Sequence, residues 1–209
     1  LLAGLVSSTA LTLYFPRLSR GGEGRHVLLA SGILLACSTM FPRILLVAAV
    51  INAGLFSSLL LPLTVMTVIS VLPVLLHRRL AAQGQVQTGE LLIKNPFQIR
   101  FALLFGALLA AITLIARALQ EWMGETGVYM LAAVSGAMDV DAITLTLSRM
   151  SLDHLPLAIT ATGIVIAGAV NTLVKAGLAG ILGSAELRLR VVLPLLGAAA
   201  AGLGVAWAI

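Results

Sequence analysis

Ser135-Gly-Ala-Met-Asp139-Val-Asp141-Ala-Ile-Thr144-Leu-Thr146-Leu-Ser148-Arg149 continues an apolar run, then sets two carboxylates where the middle of a membrane span is expected. Charged groups at that depth cost about 2.5–3.5 kcal/mol each on insertion scales. A chain keeps them where they face a watery cavity or a partner. Asp139 and Asp141 are two apart, so on an unbroken helix they would point about 200° from each other. Ser135-Gly136-Ala137 supplies a break, after which Asp139 can cap the following half-helix. The expectation is therefore a broken membrane helix over 135–144.

The rest of the chain agrees on class. Of 209 residues, 60% are hydrophobic and 10% charged, against roughly 25% charged in soluble domains. Mean hydropathy is +1.10. Uncharged apolar runs of 16 residues or more point to an integral, polytopic all-α membrane protein, and period-two alternation, the mark of an outer-membrane barrel, is missing. The net charge of +5 is what basic cytoplasmic loops produce, so no nucleic-acid partner is implied. Cys37, alone inside an apolar run, reads as a small buried hydrophobe. His26, His77 and His154 stand at loop edges without Cys or Glu at metal-ligand spacing, and no phosphate-binding Gly-rich loop appears. Neither an enzyme nor a resident cofactor is expected.

Seven spans are expected, at about 1–15, 27–50, 59–76, 101–119, 128–148, 155–182 and 191–209, in a single transmembrane domain over 1–209. The first begins at Leu1 with no basic leader ahead of it, which predicts no signal peptide and a truncated or unseen N-terminus. If the link after the first span is cytoplasmic, that side holds eight bases, Arg17, Arg20, Arg25, Arg78, Arg79, Lys94, Arg100 and Arg149. The other side holds three, Arg117, Arg188 and Arg190. The positive-inside rule then places the visible N-terminus in the periplasm and the C-terminus in the cytoplasm.

An internal repeat runs through these spans. Gly4-Leu-Val-Ser7-Ser8-Thr9-Ala10-Leu-Thr12 aligns with Gly136-Ala-Met-Asp139-Val-Asp141-Ala142-Ile-Thr144 at a constant offset of 132 residues. Ser7 and Thr9 thus stand where Asp139 and Asp141 stand, and a second broken helix is expected over 4–12. Ala30-Ser-Gly32 echoes Ala161-Thr-Gly163, and Leu61-Pro62-Leu63 echoes Leu193-Pro194-Leu195. Repeat one covers 1–79, a polar loop 80–100, and repeat two 101–209. The leading helix of repeat two has its counterpart before Leu1, giving about four helices per unit. An even number makes the repeats parallel, about an axis along the membrane normal.

The chemistry-bearing residues suit a cation path. Carboxylates, hydroxyls and freed carbonyls at a helix break can replace part of an ion's hydration shell. Mg²⁺ sheds water reluctantly, so one or two carboxylates with water-mediated contacts suit it. Asp139 and Asp141 are the candidate cation-attracting and metal-binding groups. Ser7, Ser8, Thr9, Thr12, Thr144 and Asn171 are candidate lining residues, and Arg43 and Lys175 are candidate counter-charges. A structural role alone would have Asp139 as a cap, Asp141 as the partner of Lys175 or Arg43, and the hydroxyls bonded back to their own helices. Small residues such as Gly106/Ala110 and Ala198/Gly202 allow close helix packing, and a homodimer is expected from such faces.

Several of these motifs, together with Met40-Phe-Pro-Arg43, Asn95-Pro96-Phe97 and Asn171-Thr-Leu-Val-Lys175, resemble a bacterial domain of unknown function found C-terminal to MgtC/SapB-type membrane domains. The resemblance covers essentially the whole chain. It implies a bacterial inner-membrane protein, an MgtC-like domain N-terminal to it, and a link to divalent cations, ion conduction having been proposed for proteins of this type. The expected function is a cation channel or facilitative transporter favouring Mg²⁺. The alternatives are a proton- or ion-coupled transporter of a small solute and a non-conducting membrane regulatory domain.

Overall fold

The computed structural model describes residues 12, 15, 16, 26–81 and 99–208. Among them the chain builds seven helices: α1 (His26–Ser38), α2 (Met40–Ile51), α3 (Leu55–Ala81), α4 (Ile99–Met138), α5 (Val140–Asp153), α6 (Leu157–Leu182) and α7 (Ala185–Ala208). Four stretches are long and apolar enough to cross a membrane: His26–Ile51, Leu55–Leu76, Leu157–Leu182 and Ala185–Ala208. At 22 to 26 residues each reaches roughly 33–39 Å, against about 30 Å of hydrocarbon.

The expected span at 27–50 is interrupted at Thr39, between α1 and α2. Pro42 explains it, because its ring nitrogen has no hydrogen to return to the Ser38 carbonyl. The hydroxyls of Ser38 and Thr39 donate to the carbonyls of Leu35 and Ala36, each at 2.9 Å. These bonds keep the turn satisfied in an apolar setting.

The link expected between the spans at 101–119 and 128–148 is shorter than anticipated. Helical structure runs from Ile99 to Met138, bent only at Gly124, whose φ of 59° and ψ of −136° lie outside helical space. Glycine alone holds that conformation readily, so one residue redirects the chain without a loop. The expected break over 135–144 falls at Asp139, where φ −152° and ψ 126° separate α4 from α5. The expected break over 4–12 lies outside the described residues, apart from Thr12.

α6 is the central post. It packs against α3, α4, α5 and α7, and α3 packs in turn on α1, α2 and α7. One buried cluster joins Phe41, Ile44, Leu59, Leu63, Met66, Ile143, Leu147 and Ile164. A second joins Ile33, Leu34, Val74, Ala179, Leu187, Val191 and Leu195 toward the other end of α6 and α7. Small residues let the helices close in: a Cβ on Gly136 would collide with the backbone of Ala167, and one on Gly202 with Met66. The α2–α3 turn is tied to α5 by Asn52, whose Nδ2 donates to Ser151 Oγ at 2.9 Å while its Oδ1 accepts from Gly54 N at 3.0 Å.

Candidate functional site

The two interruptions face the middle of α6. Asn171, the fifteenth of the 26 residues from Leu157 to Leu182, donates through Nδ2 to the Gly136 carbonyl at 2.7 Å. Gly136 itself lies against Ala167. The end of α4 is thus fixed at half the length of a membrane-spanning helix. α5, at 14 residues, is about 21 Å long, too short to cross alone.

At the break the backbone is re-satisfied locally. Asp139 N donates to the Ser135 carbonyl at 2.8 Å, closing α4. The Asp139 carboxylate accepts from Asp141 N at 3.1 Å, opening α5. In a continuous helix that Asp141 amide would serve the Ala137 carbonyl. At this break it serves the Asp139 carboxylate instead. Asp139 carries the N-cap role expected of it, at a helix end whose partial charge is positive.

Asp141 reaches across to α2 and pairs with Arg43, Nη2 to Oδ2, at 2.7 Å. Both side chains keep about a third of their surface, 34% for Arg43 and 32% for Asp141. The structure thus selects Arg43 over Lys175 as the direct partner. Lys175, one helical turn after Asn171, is buried, with Nζ 3.4 Å from Met40 Sδ. Electrostatically it senses Cys37, Arg43, Asp141 and Asp139. Thr12 is buried beside Cys37, Oγ1 to Sγ 3.9 Å.

Of the other expected lining residues, one fits less directly and three cannot be placed. Thr144 is buried and its hydroxyl donates to the Val140 carbonyl at 2.7 Å, so that donor is spent within its own helix. Ser7, Ser8 and Thr9 lie outside the described residues. Asp139, Asp141, Arg43, Lys175 and Asn171 are brought together.

Buried polar atoms with no hydrogen-bond partner among the described residues include Ser148 Oγ, Thr160 Oγ1 and Asn171 Oδ1. The last matters most here. A buried amide oxygen normally has a donor, and leaving one without costs about 1–3 kcal/mol. Asn171 is held by its NH₂ group to the break, so its acceptor is left for something else at the same depth. No group of three or more His, Cys, Asp or Glu able to hold a metal occurs among the described residues. An ion here would be met by a mixed set of carboxylate, amide and carbonyl oxygens, which suits a hard cation.

Met40 was not singled out by the sequence, and Cys37 only as a small buried hydrophobe. Their apolar surroundings disguise them, and only the fold brings Met40 Sδ to 3.4 Å from Lys175 Nζ and Cys37 within electrostatic reach of it. Their three-residue spacing was the one available signal.

Comparison with known proteins agrees over most of the length. The family model described as a domain of unknown function, DUF4010, matches residues 1–183. A protein of Aquifex aeolicus (strain VF5), described as "Uncharacterized protein", is 34% identical over 191 residues, 90% of this chain and 83% of that one. No solved structure matches the chain. With 183 of its 209 residues inside one family model, the chain belongs to the DUF4010 family.

Proposed function

We propose that this protein is a cation channel or facilitative cation transporter of the bacterial inner membrane, with divalent ions such as Mg²⁺ favoured. The observation that carries the proposal is the helix break at Asp139, pinned by Asn171 to the midpoint of α6. It concentrates a carboxylate, interrupted backbone and an unpartnered amide oxygen where a lipid-embedded protein has most reason to avoid them. Half-helices that meet at mid-depth are how transporters expose backbone groups to an ion.

The path follows the interface of two parallel repeats. Several pairs separated by 132 residues support the repeat: Pro62 and Pro194 both lie inside helices, and Thr12 and Thr144 are both buried. Arg43 and Lys175, also 132 apart, share one charged cluster. Seven visible spans, a periplasmic visible N-terminus and a homodimer belong to the same proposal and rest on the sequence patterns, and a preceding MgtC-like domain rests on the family resemblance alone.

The contacts of Asp139 and Asp141 are also those of a cap and an ion pair in a non-conducting membrane domain. Flux separates the two. Purified protein in liposomes should conduct Mg²⁺, and Asp139→Asn, which keeps size and removes charge, should lower flux at least tenfold or change ion preference. Wild-type liposomes no leakier than empty ones to Mg²⁺, K⁺ and H⁺ would overturn the proposal.

A further inference from the structure

Both arms of the break meet α6 at one level. A Cβ on Gly163 would lie 3.0 Å from Leu147 Cδ1, on α5, and 3.8 Å from Val128 Cγ1, on α4. Deeper along α6, Gly136 rests on Ala167 and is held by Asn171. Farther out, Ser151 near the end of α5 accepts from Asn52. The same α2–α3 turn meets the start of α6, since a Cβ on Gly54 would lie 3.2 Å from Leu157 Cδ1. From Gly124 to Asp139 a helix rises about 22 Å, and α5 returns about 21 Å. The chain goes in, turns at Asp139 and comes back.

Helices related by the 132-residue offset also run in opposite directions. Arg43 and Lys175 make α1 and α2 together the counterpart of α6. His26 Nδ1 lies 3.1 Å from Ser184 Oγ at one end, Met40 Sδ 3.4 Å from Lys175 Nζ midway, and Ile44 beside Gly168 beyond. α3 and α7, which share Leu-Pro-Leu at that offset, place Ile69 at Gly197 and Met66 at Gly202. In both pairs the numbers rise on one helix as they fall on the other. Phe15 on Gly32 repeats the contact of Leu147 on Gly163, each glycine being seven residues into its helix. The two contacts sit toward opposite faces, because α1 begins where α6 ends.

We infer that 124–153 is a re-entrant hairpin, which carries Asp139 to mid-depth and returns to the face it entered, and that the two repeats are inverted. The seven spans and parallel repeats proposed above count 128–148 as a crossing, which makes four per unit. With the hairpin three remain, and an odd number turns the second unit over, about an axis in the membrane plane. The charges agree. Arg188 and Arg190 join the basic side and Arg149 leaves it, so eight against three becomes nine against two, a stronger positive-inside bias. The cation then reaches Asp139 from the periplasmic face, the one carrying Gly124 and His154. That entry face rests on the cation path proposed above, whereas the hairpin rests on packing alone.

The test is labelling of single cysteines in the full chain, in a Cys37→Ser background, by a membrane-impermeant maleimide on intact spheroplasts. Trp122→Cys, Asp153→Cys and Ala185→Cys are all at exposed positions, and Met123→Cys, Leu152→Cys and Glu186→Cys, one residue away, repeat the readout should a variant fold poorly. Positions 122 and 153 should label from outside, and 185 only after the membrane is permeabilised. Labelling at 122 and 185 with 153 protected would overturn the hairpin and restore seven spans with parallel repeats. Protection of 122 and 153 together, with 185 labelled, would keep the hairpin and overturn periplasmic entry. No ion flux enters this readout, so the hairpin can fail in a protein that conducts, and hold in one that does not.

Discussion

Gly136→Ala places one methyl group where α4 ends against α6. Its Cβ would lie 2.5 Å from the Ala167 carbonyl oxygen, 2.6 Å from its Cα and 2.9 Å from its carbonyl carbon. All three are backbone atoms, so no side chain can swing away, and the helices have to part by roughly 1 Å to restore normal contact distances. A gap of that size forfeits a quarter to a half of the dispersion along the seam, and overpacking of this kind costs about 1–3 kcal/mol. The ordinary helix gain of Ala over Gly, up to about 1 kcal/mol, offsets part of it. The net expectation is a loss of about 1–2 kcal/mol, or roughly 2–8 °C in Tm for a chain of this size. Gly177→Ala, on α6 with nothing within 4 Å of its added Cβ, supplies the matched control and should hold or raise Tm. Thermal melts of the two purified variants beside wild type decide it. A Gly136→Ala protein as stable as Gly177→Ala would refute the close approach of α4 and α6, and with it the depth assigned to the break.

Gly124→Ala should lower stability by about 1–3 kcal/mol through the backbone alone, because the position has positive φ yet open space around it; a melt unchanged from wild type would contradict the kink. Asn171→Ala removes the bond to the Gly136 carbonyl and should cost about 1–3 kcal/mol while also reducing cation flux; normal stability and flux together would remove Asn171 from the site. Leu147→Ala, at a fully buried position in the core against α6, should cost about 2–5 kcal/mol, whereas Leu193→Ala, 62% exposed, should shift Tm little; the reverse order would mean that the packing of α5 on α6 is misassigned.

Much of this site was legible from local chemistry. Two acids two residues apart inside an apolar run, preceded by Ser-Gly-Ala, cannot share an unbroken helix, and the chain does break at Asp139. Asn171 stood out as a polar residue in an apolar run, but its bond to Gly136 joins residues 35 apart, and no local pattern encodes such a contact. Whether Asp141 would choose Arg43 or Lys175 was open for the same reason: the answer depends on how α2 and α6 lie against α5. Two breaks were placed less well. The span at 27–50 was read as continuous, whereas the helix is interrupted at Thr39, three residues before Pro42, because a proline removes a bond from the preceding turn. A link was expected between the spans at 101–119 and 128–148, yet one glycine suffices to turn the chain there.

The central claim is that the break at Asp139 meets water and cations at mid-membrane depth. Ala137→Cys in a Cys37→Ser background tests it most directly, because it keeps both carboxylates and sets a thiol at the break. The account predicts that a membrane-impermeant thiol reagent labels this cysteine in intact liposomes and that Mg²⁺ slows the labelling. A thiol that stays unlabelled in the folded protein but reacts on unfolding would show a sealed break, and the path proposed through it would be wrong.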